Sequence, residues 1–201
     1  MELLFPLLLM AAGVQIVKVR EQRRRIELLG QRLSSYQIEK LMATLLEGYL
    51  RALGEQDPER RQQVWSMLTT AETSLSDQIS RFAADLAGVW GEEALVSTLP
   101  VAVPLAHKWF PRSTFDLRRA VTLHAEGIDA AVRNEPGRSN RDKAFIVTAE
   151  ILLFQHTCHW FCRSKTVADA RMVARHQTHH AQLVDAVLPQ TREAYRRLTR
   201  M

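Results

Sequence analysis

Apolar residues recur at intervals of three and four along most of the chain, and this spacing predicts helices. The clearest case follows Asp57 and Pro58, a pair typical of a helix N-cap and first helical position. The apolar positions of this helix, which is predicted to end near Trp90, are Val64, Leu68, Ala71, Leu75, Ile79, Phe82, Leu86 and Val89. Because no Asn-Gly hairpin signal occurs, the pattern predicts an all-α bundle of about four to five helices over residues 57–201.

Residues 141–163 are apolar on nearly every side, which predicts the central and most buried helix of this bundle. A buried strand over FIVTAEILLF stays an alternative, because periodicity alone does not separate the two for a short apolar run. The turn NEPGRSN precedes the segment, and a last long helix is predicted over about 167–188. The chain then ends in a predicted basic tail, TREAYRRLTRM.

The N-terminal segment combines a long apolar run with cations on one side of it. Residues 3–17 contain Gln15 as their one strongly polar side chain, and five basic residues follow between Lys18 and Arg25. Because such cations stay on the cytoplasmic side, this order predicts a membrane anchor over residues 1–19, with the N-terminus outside and the body in the cytoplasm. Residues 20–56 are then predicted as a basic juxtamembrane segment and stalk helix.

The length of the apolar run leaves alternatives to a membrane anchor open. Fifteen helical residues rise about 22 Å, which is less than the roughly 30 Å of a hydrocarbon core. A helix that lies in the membrane interface, or one that is buried in an oligomer, would need no full span.

Composition and charge narrow the function classes. A chain of 201 residues suits one domain, and two cysteines are too few for a disulfide framework. Residues 163–201 hold eight basic and three acidic side chains, which accounts for the whole net charge of +5. Such a surface suits anionic lipid, nucleic acid or an acidic protein. The arginines at helical spacing that would make these contacts are Arg171, Arg175, Arg192, Arg196 and Arg200.

The stretch CHWFCRSKTVADARMVARHQTHH carries candidate metal ligands. Cys158, Cys162, His176 and His180 resemble the two-Cys, two-His pattern of zinc fingers, with one residue more in the central gap. The resemblance implies a structural zinc ion on a short hairpin followed by a helix. If 141–163 is helical instead, Cys158 and His180 lie too far apart. A mixed site that draws on His156 and His159 would then replace the finger.

A second interpretation of these histidines needs no metal. Inward-facing imidazoles are usually satisfied by hydrogen bonds, and the nearby carboxylates are Glu150 and Asp169.

The sequence contains no complete catalytic signature. It lacks a Gly-rich phosphate loop, a Gly-x-Ser-x-Gly elbow and the Glu-x-x-His motif of di-iron bundles. Cys162, close to His159 and Arg163, is a conceivable nucleophile without a visible oxyanion site.

These observations together predict a non-catalytic, membrane-tethered scaffold that binds other proteins, with residues 3–19 contacting the membrane. Self-association is a further expectation. The alternative is a metal-stabilised module that binds nucleic acid or an anionic surface through residues 158–200.

Overall fold

Nine helices and one two-stranded sheet form the part of the chain that the computed structural model describes, residues 4–88 and 91–201. The predicted all-α class is confirmed, although the described residues form more and shorter helices than the four to five expected. The helices are α1 Leu4–Leu33, α2 Ile38–Gly54, α3 Pro58–Ala87, α4 Ala106–Trp109, α5 Leu117–Arg133, α6 Asn140–Cys162, α7 Lys165–His176, α8 His180–Ala186 and α9 Pro189–Thr199. The strands are β1 Leu95–Ser97 and β2 Thr114–Asp116, with 3-10 turns at Gly91–Ala94 and Pro111–Ser113.

Side chains that cap the helices explain several of these boundaries. Asp57 begins α3 by accepting hydrogen bonds from the amides of Glu59 at 2.9 Å and Arg60 at 3.2 Å. Asp116 begins α5 in the same way, through the amide of Arg118 at 2.8 Å. The predicted end of the α3 stripe, Val89 and Trp90, lies outside the described residues.

Helix α6 is the centre of the bundle. It contacts α1, α2, α5, α7, α8 and β1, and its side chains Ile151, Leu153 and Phe161 are fully buried. The strand alternative for this segment is therefore wrong. A helix surrounded on all sides needs apolar residues on every face, which is why the segment shows no clear periodicity.

The proline-containing segment between α3 and α5 closes one end of the bundle. Its two strands pair antiparallel, with Val96 opposite Phe115. Phe115 packs edge-on against Trp160 at 5.0 Å between ring centroids, and the Trp160 indole donates to the Ser97 carbonyl at 2.8 Å. This segment therefore fixes the C-terminal end of α6.

The predicted membrane anchor is wrong for the residues that the structure describes. None of the helices within 4–88 and 91–201 is long and apolar enough to cross a membrane. The physical reason is that the apolar run described for α1, residues 4–17, rises only about 21 Å before Lys18, Arg20 and Glu21 follow, which is less than the roughly 30 Å of a hydrocarbon core. The predicted orientation, with the N-terminus outside and the body in the cytoplasm, depended on this anchor and is corrected with it. Residues 1–3 of the predicted anchor lie outside the described residues.

The predicted stalk also differs from the structure, because α1 ends at Leu33 and a turn separates it from α2. Helix α2 packs against α3 and α6 inside the bundle. The middle of α1 lies on the bundle as well: Arg25 donates to the carbonyls of Phe161 and Leu95, each at 3.3 Å. Residues 6–17 of α1, in contrast, are exposed.

Helices α5, α6 and α9 approach closely at Gly127. A Cβ atom at this position would lie 2.5 Å from the Thr191 hydroxyl oxygen and 2.7 Å from Oε2 of Glu150. Both side chains are buried, and Glu150 is held on its other oxygen by the amide of Leu188 at 3.0 Å. Glycine is therefore required for this three-helix contact.

We expect Gly127→Ala to destabilise the protein by about 1–3 kcal/mol, because the added methyl group must displace two fixed polar side chains. Urea denaturation followed by circular dichroism would measure the change. Gly30→Ala is the matched control, since no atom lies within 4 Å of its added Cβ. That variant should gain up to about 1 kcal/mol from higher helix propensity. Equal stability of the two variants would contradict the close contact.

Candidate metal centre

A turn at residues 177–179 divides the segment that the sequence predicted as one helix. Gln177 adopts a left-handed conformation with φ of 50° and ends α7, while His179 caps α8 and its amide donates to the Gln182 side chain at 3.1 Å. His176 is consequently the last residue of α7, and His180 is the first residue of α8. The two histidines therefore face different parts of the structure, although they are only four positions apart in the sequence.

Three side chains from three helices meet beside Trp160. His156 comes from α6, Asp169 from α7 and His180 from α8. One ligand atom of each lies within 4.8 Å of the others, and the two histidines are buried. Nε2 of His156 donates to Oδ1 of Asp169 at 2.7 Å, and Nδ1 of His180 lies 3.9 Å from the same oxygen. Two imidazoles and a carboxylate are a donor set that binds divalent transition metals.

The two imidazole rings of this triad are stacked. Their centroids are 4.0 Å apart and their planes differ by 12°. Lys165 lies beside the stack, with Nζ 2.9 Å from Oδ2 of Asp169 and 5.7 Å from the Trp160 ring centroid. Asp169 thus receives a hydrogen bond on each of its two oxygens.

Burial and hydrogen bonding give all three groups the charge states that metal binding needs. Burial lowers the pKa of His180 to about 3, and it also lowers the pKa of His156 despite the opposing effect of Asp169. Burial alone would raise the pKa of Asp169, but the hydrogen bonds from His156 and Lys165 outweigh it and lower the pKa to about 2. Near neutral pH the site therefore holds two neutral imidazoles and one carboxylate.

A buried polar chain extends behind the triad. The Tyr195 hydroxyl lies 3.4 Å from Nε2 of His180 and 3.4 Å from the Thr157 hydroxyl, which in turn lies 2.9 Å from Nε2 of His124. Because Tyr195 faces Nε2 of His180, Nδ1 of that ring points towards Asp169. Nδ1 of His156 has no hydrogen-bond partner among residues 4–88 and 91–201.

The triad opens to solvent on one side. A groove of about 670 Å³ is lined by Asp169 and His180, together with Lys165, His179, Val184 and Arg196. His156 is fully buried and does not line this groove. An ion bound by the triad would therefore have the bundle core on one side and the groove on the other.

Of the residues predicted as zinc ligands, the triad includes His180, together with the substitute His156. Cys158 lies two residues from His156, which is a rotation of about 200° on a helix. It belongs instead to the hydrophobic core on the opposite face of α6. Cys162 follows one turn later. Burial raises the pKa of both thiols, that of Cys162 to about 11, so both stay protonated at neutral pH.

His159 and His176 lie in another groove, which runs between α2, α6 and α7. Burial and the nearby guanidinium of Arg171 lower the pKa of His159 to about 4. Arg171 and Arg175 line the same groove. The remaining predicted arginines lie elsewhere: Arg192 and Arg196 contact Asp185, and Arg200 contacts the Arg112 carbonyl. The predicted tail that carries them is helix α9, which is anchored by the fully buried Tyr195.

Asp169 is the functional candidate that the sequence did not assign to a metal. It was expected only as a hydrogen-bond acceptor for inward-facing histidines, and it does accept from His156. The signal that could have found it is its place on the turn of α7 that follows Lys165, opposite His156 across a helical hairpin.

Comparison with known proteins gives no relative for this chain: no protein-family model, no curated protein and no solved structure matches it.

A buried acid, Glu150, lies next to this region on α6. It is fully buried, and Oε1 accepts a hydrogen bond from the amide of Leu188, the residue before α9. Burial raises the pKa of Glu150 from 4.5 to about 7, although the Leu188 amide opposes this. The native state therefore binds a proton more tightly than the unfolded chain. The resulting stability is present below pH 4.5 and is lost as the pH rises through about 7.

We expect Glu150→Gln to remove this pH dependence. The free energy of unfolding of the variant should rise relative to wild type, by roughly 2–3 kcal/mol, between pH 4.5 and pH 8. Chemical denaturation at several pH values would measure the difference, in which the contributions of the histidines cancel. Glu126→Gln, at an exposed position of α5, should keep a constant difference from wild type. A constant difference for Glu150→Gln would show that folding leaves the pKa of Glu150 unchanged.

Proposed function

We propose that this chain is a metal-binding helical protein, in which His156, Asp169 and His180 hold one divalent transition metal ion at the floor of an open groove. The observation that carries the proposal is the convergence of three ligand atoms from three helices within 4.8 Å of one another. Two of the three residues are buried, where an unpaired polar group would otherwise be costly.

The donor set favours particular metals. Two imidazoles and one carboxylate suit Fe²⁺, Mn²⁺ or Zn²⁺, whereas thiolates would favour softer ions. The proposal therefore differs from a zinc finger, whose cysteines would supply half of the ligands. Three protein ligands also leave coordination positions open, which is typical of catalytic rather than structural sites. A bound ion of this kind lowers the pKa of a coordinated water molecule.

Binding requires one change in the geometry of the triad. A coordinated ion lies close to the plane of each imidazole that binds it, and two rings stacked at 4.0 Å do not share such a position. One ring must therefore turn out of the stack. His180 is the better candidate, because it lines the groove, whereas His156 is enclosed by the core.

Metal binding also requires that a proton move on His156. In the hydrogen-bonded pair Nε2 of His156 carries a proton that Asp169 accepts. An ion that binds at Nε2 takes the place of this proton, and the neutral ring then carries its proton on Nδ1.

Metal analysis of untagged protein, purified without chelator, tests the proposal. We expect about one ion per chain, and we expect His180→Ala and Asp169→Asn to lower the affinity at least about 100-fold, because each removes a ligand. Competition with a chromogenic chelator would measure the dissociation constants of Zn²⁺, Fe²⁺ and Mn²⁺.

Cys158→Ser and His176→Ala are the matched controls, since the zinc-finger pattern contains both residues and the triad contains neither. They should bind metal as wild type does. Loss of metal in these two variants, with retention in His180→Ala and Asp169→Asn, would overturn the triad. Circular dichroism of each variant separates loss of a ligand from loss of the fold.

A second function, self-association, is favoured by the exposed apolar part of α1. Leu7, Met10, Val14 and Val17 are 43–64% exposed, and their spacing of three, four and three residues is that of a coiled-coil seam. Two copies of the chain that pack along this seam would bury side chains that are otherwise in water. Self-association of this kind would keep the part of the scaffold prediction in which the chain binds another protein chain.

We expect the protein to be dimeric and the double variant Met10→Glu/Val14→Glu to be monomeric, because opposing carboxylates would repel each other in the seam. Light scattering coupled to gel filtration would measure the masses. Gln15→Glu adds a charge to the same helix outside the seam and should stay dimeric. A monomeric wild-type protein over a wide concentration range would exclude this function.

A further inference from the structure

We infer that the metal-loaded centre binds a small oxyanion, a carboxylate or phosphate group, in the groove, and that Lys165 supplies its counter-charge. This inference rests on the proposed metal site and adds the class of ligand that the open coordination positions accept. Charged side chains surround the mouth of the site.

Without a metal ion, the charges of the side chains at the triad cancel. The negative charge of Asp169 is matched by Lys165, whose Nζ lies 2.9 Å from Oδ2, and an imidazole coordinates a metal ion in its neutral form. A divalent ion adds two positive charges without any further carboxylate, because Asp169 is the acidic side chain that lines this groove. The loaded centre therefore faces the groove with an excess of positive charge. An anion is the ligand that neutralises it.

Lys165 is placed to contact such an anion. Its hydrogen bond to Oδ2 puts the ammonium group beside the carboxylate, while Oδ1 faces the two histidines. An ion held at Oδ1 would thus have the ammonium group as its neighbour on the groove side. Nζ also lies 5.7 Å from the centroid of the Trp160 ring, a cation–π contact that helps to hold the ammonium group in place. The lysine side chain keeps 24% of its surface exposed, which leaves its remaining donors accessible.

The outer rim of the groove carries a second cation. Arg196 lines the groove, and its guanidinium is held in place by Asp185 at 2.8 Å. Val173 and Val184 form apolar walls between this rim and the metal site. A volume of about 670 Å³ accommodates a small organic anion in addition to its coordinating group. The groove thus offers a coordination position at its floor, an ammonium group beside it and a guanidinium at its mouth.

Cobalt-loaded protein provides the test, because the visible spectrum of Co²⁺ reports the ligands that surround it. Inorganic phosphate and acetate would be titrated separately into the loaded protein at constant ionic strength. We expect a saturable spectral change with at least one of them. We also expect Lys165→Met to weaken anion binding at least about tenfold, the loss of one charge-assisted hydrogen bond. Because Lys165 donates to the ligand Asp169, the affinity for Co²⁺ is measured in the same variant, and anion binding is compared at saturating Co²⁺.

Lys108→Met is the matched control, because Lys108 is exposed and lies outside this groove. It should bind both anions as wild type does. A response to phosphate alone, or to acetate alone, identifies which of the two oxyanion types the groove accepts.

Three outcomes would overturn the inference. Co²⁺ binding without any anion response, or with the same response in Lys165→Met, would contradict the ligand class and leave the metal site intact. Equal anion binding to metal-free protein would reduce the groove to an ordinary cationic surface. Failure of Co²⁺ to bind would overturn the metal site and this inference together.

Discussion

The central position of α6, which packs against five helices or strands of the bundle and against α1, is the constraint on which the rest of the structure depends. A helix so enclosed must find a hydrogen-bond partner for each polar side chain that it carries inward. Glu150 accepts a hydrogen bond from the backbone amide at the start of α9. Thr157 is hydrogen-bonded to His124 of α5, and His156 is hydrogen-bonded to Asp169 of α7. Each of these contacts fixes the position of another helix. The short C-terminal helices are therefore held by polar contacts with α6 as well as by apolar packing.

The sequence was informative where local chemistry decides the structure. The cap at Asp57 begins a helix where the residue pattern predicted it, and the apolar run 141–163 is the central helix. The break at Gln177 was not predictable in the same way, because glutamine has no special preference for a positive φ. Tertiary contacts impose it: His180 must turn inward to reach Asp169 and Tyr195, while His176 stays on the outer groove.

The residues that the structure brings together differ from the predicted group of ligands for a physical reason. Cys158, Cys162, His176 and His180 were grouped by their spacing along the chain, as is appropriate for a zinc finger. In a helical hairpin, two side chains are close only if they lie at the same level along the helix axes and on the sides of the two helices that face each other. His156 and Cys158 are neighbours in sequence but point to opposite sides of α6, and only His156 faces α7. The membrane prediction failed because the apolar run before the cations of α1 is too short, as its rise of about 22 Å already indicated.

The contacts at Asp169 determine what kind of metal site this can be. A structural zinc site generally leaves its ligands without partners when the metal is absent, so that the domain unfolds. Here the carboxylate of Asp169 is satisfied by His156 and Lys165, and Nε2 of His180 faces the Tyr195 hydroxyl. The fold is therefore complete without an ion, and the free energy of metal binding is not needed to hold the helices together. The free energy of metal binding must instead offset the loss of the stacking between the two imidazoles and of one hydrogen bond. An ion held by the triad as proposed would therefore exchange more readily than a structural zinc ion, and its open positions would face the groove rather than the core.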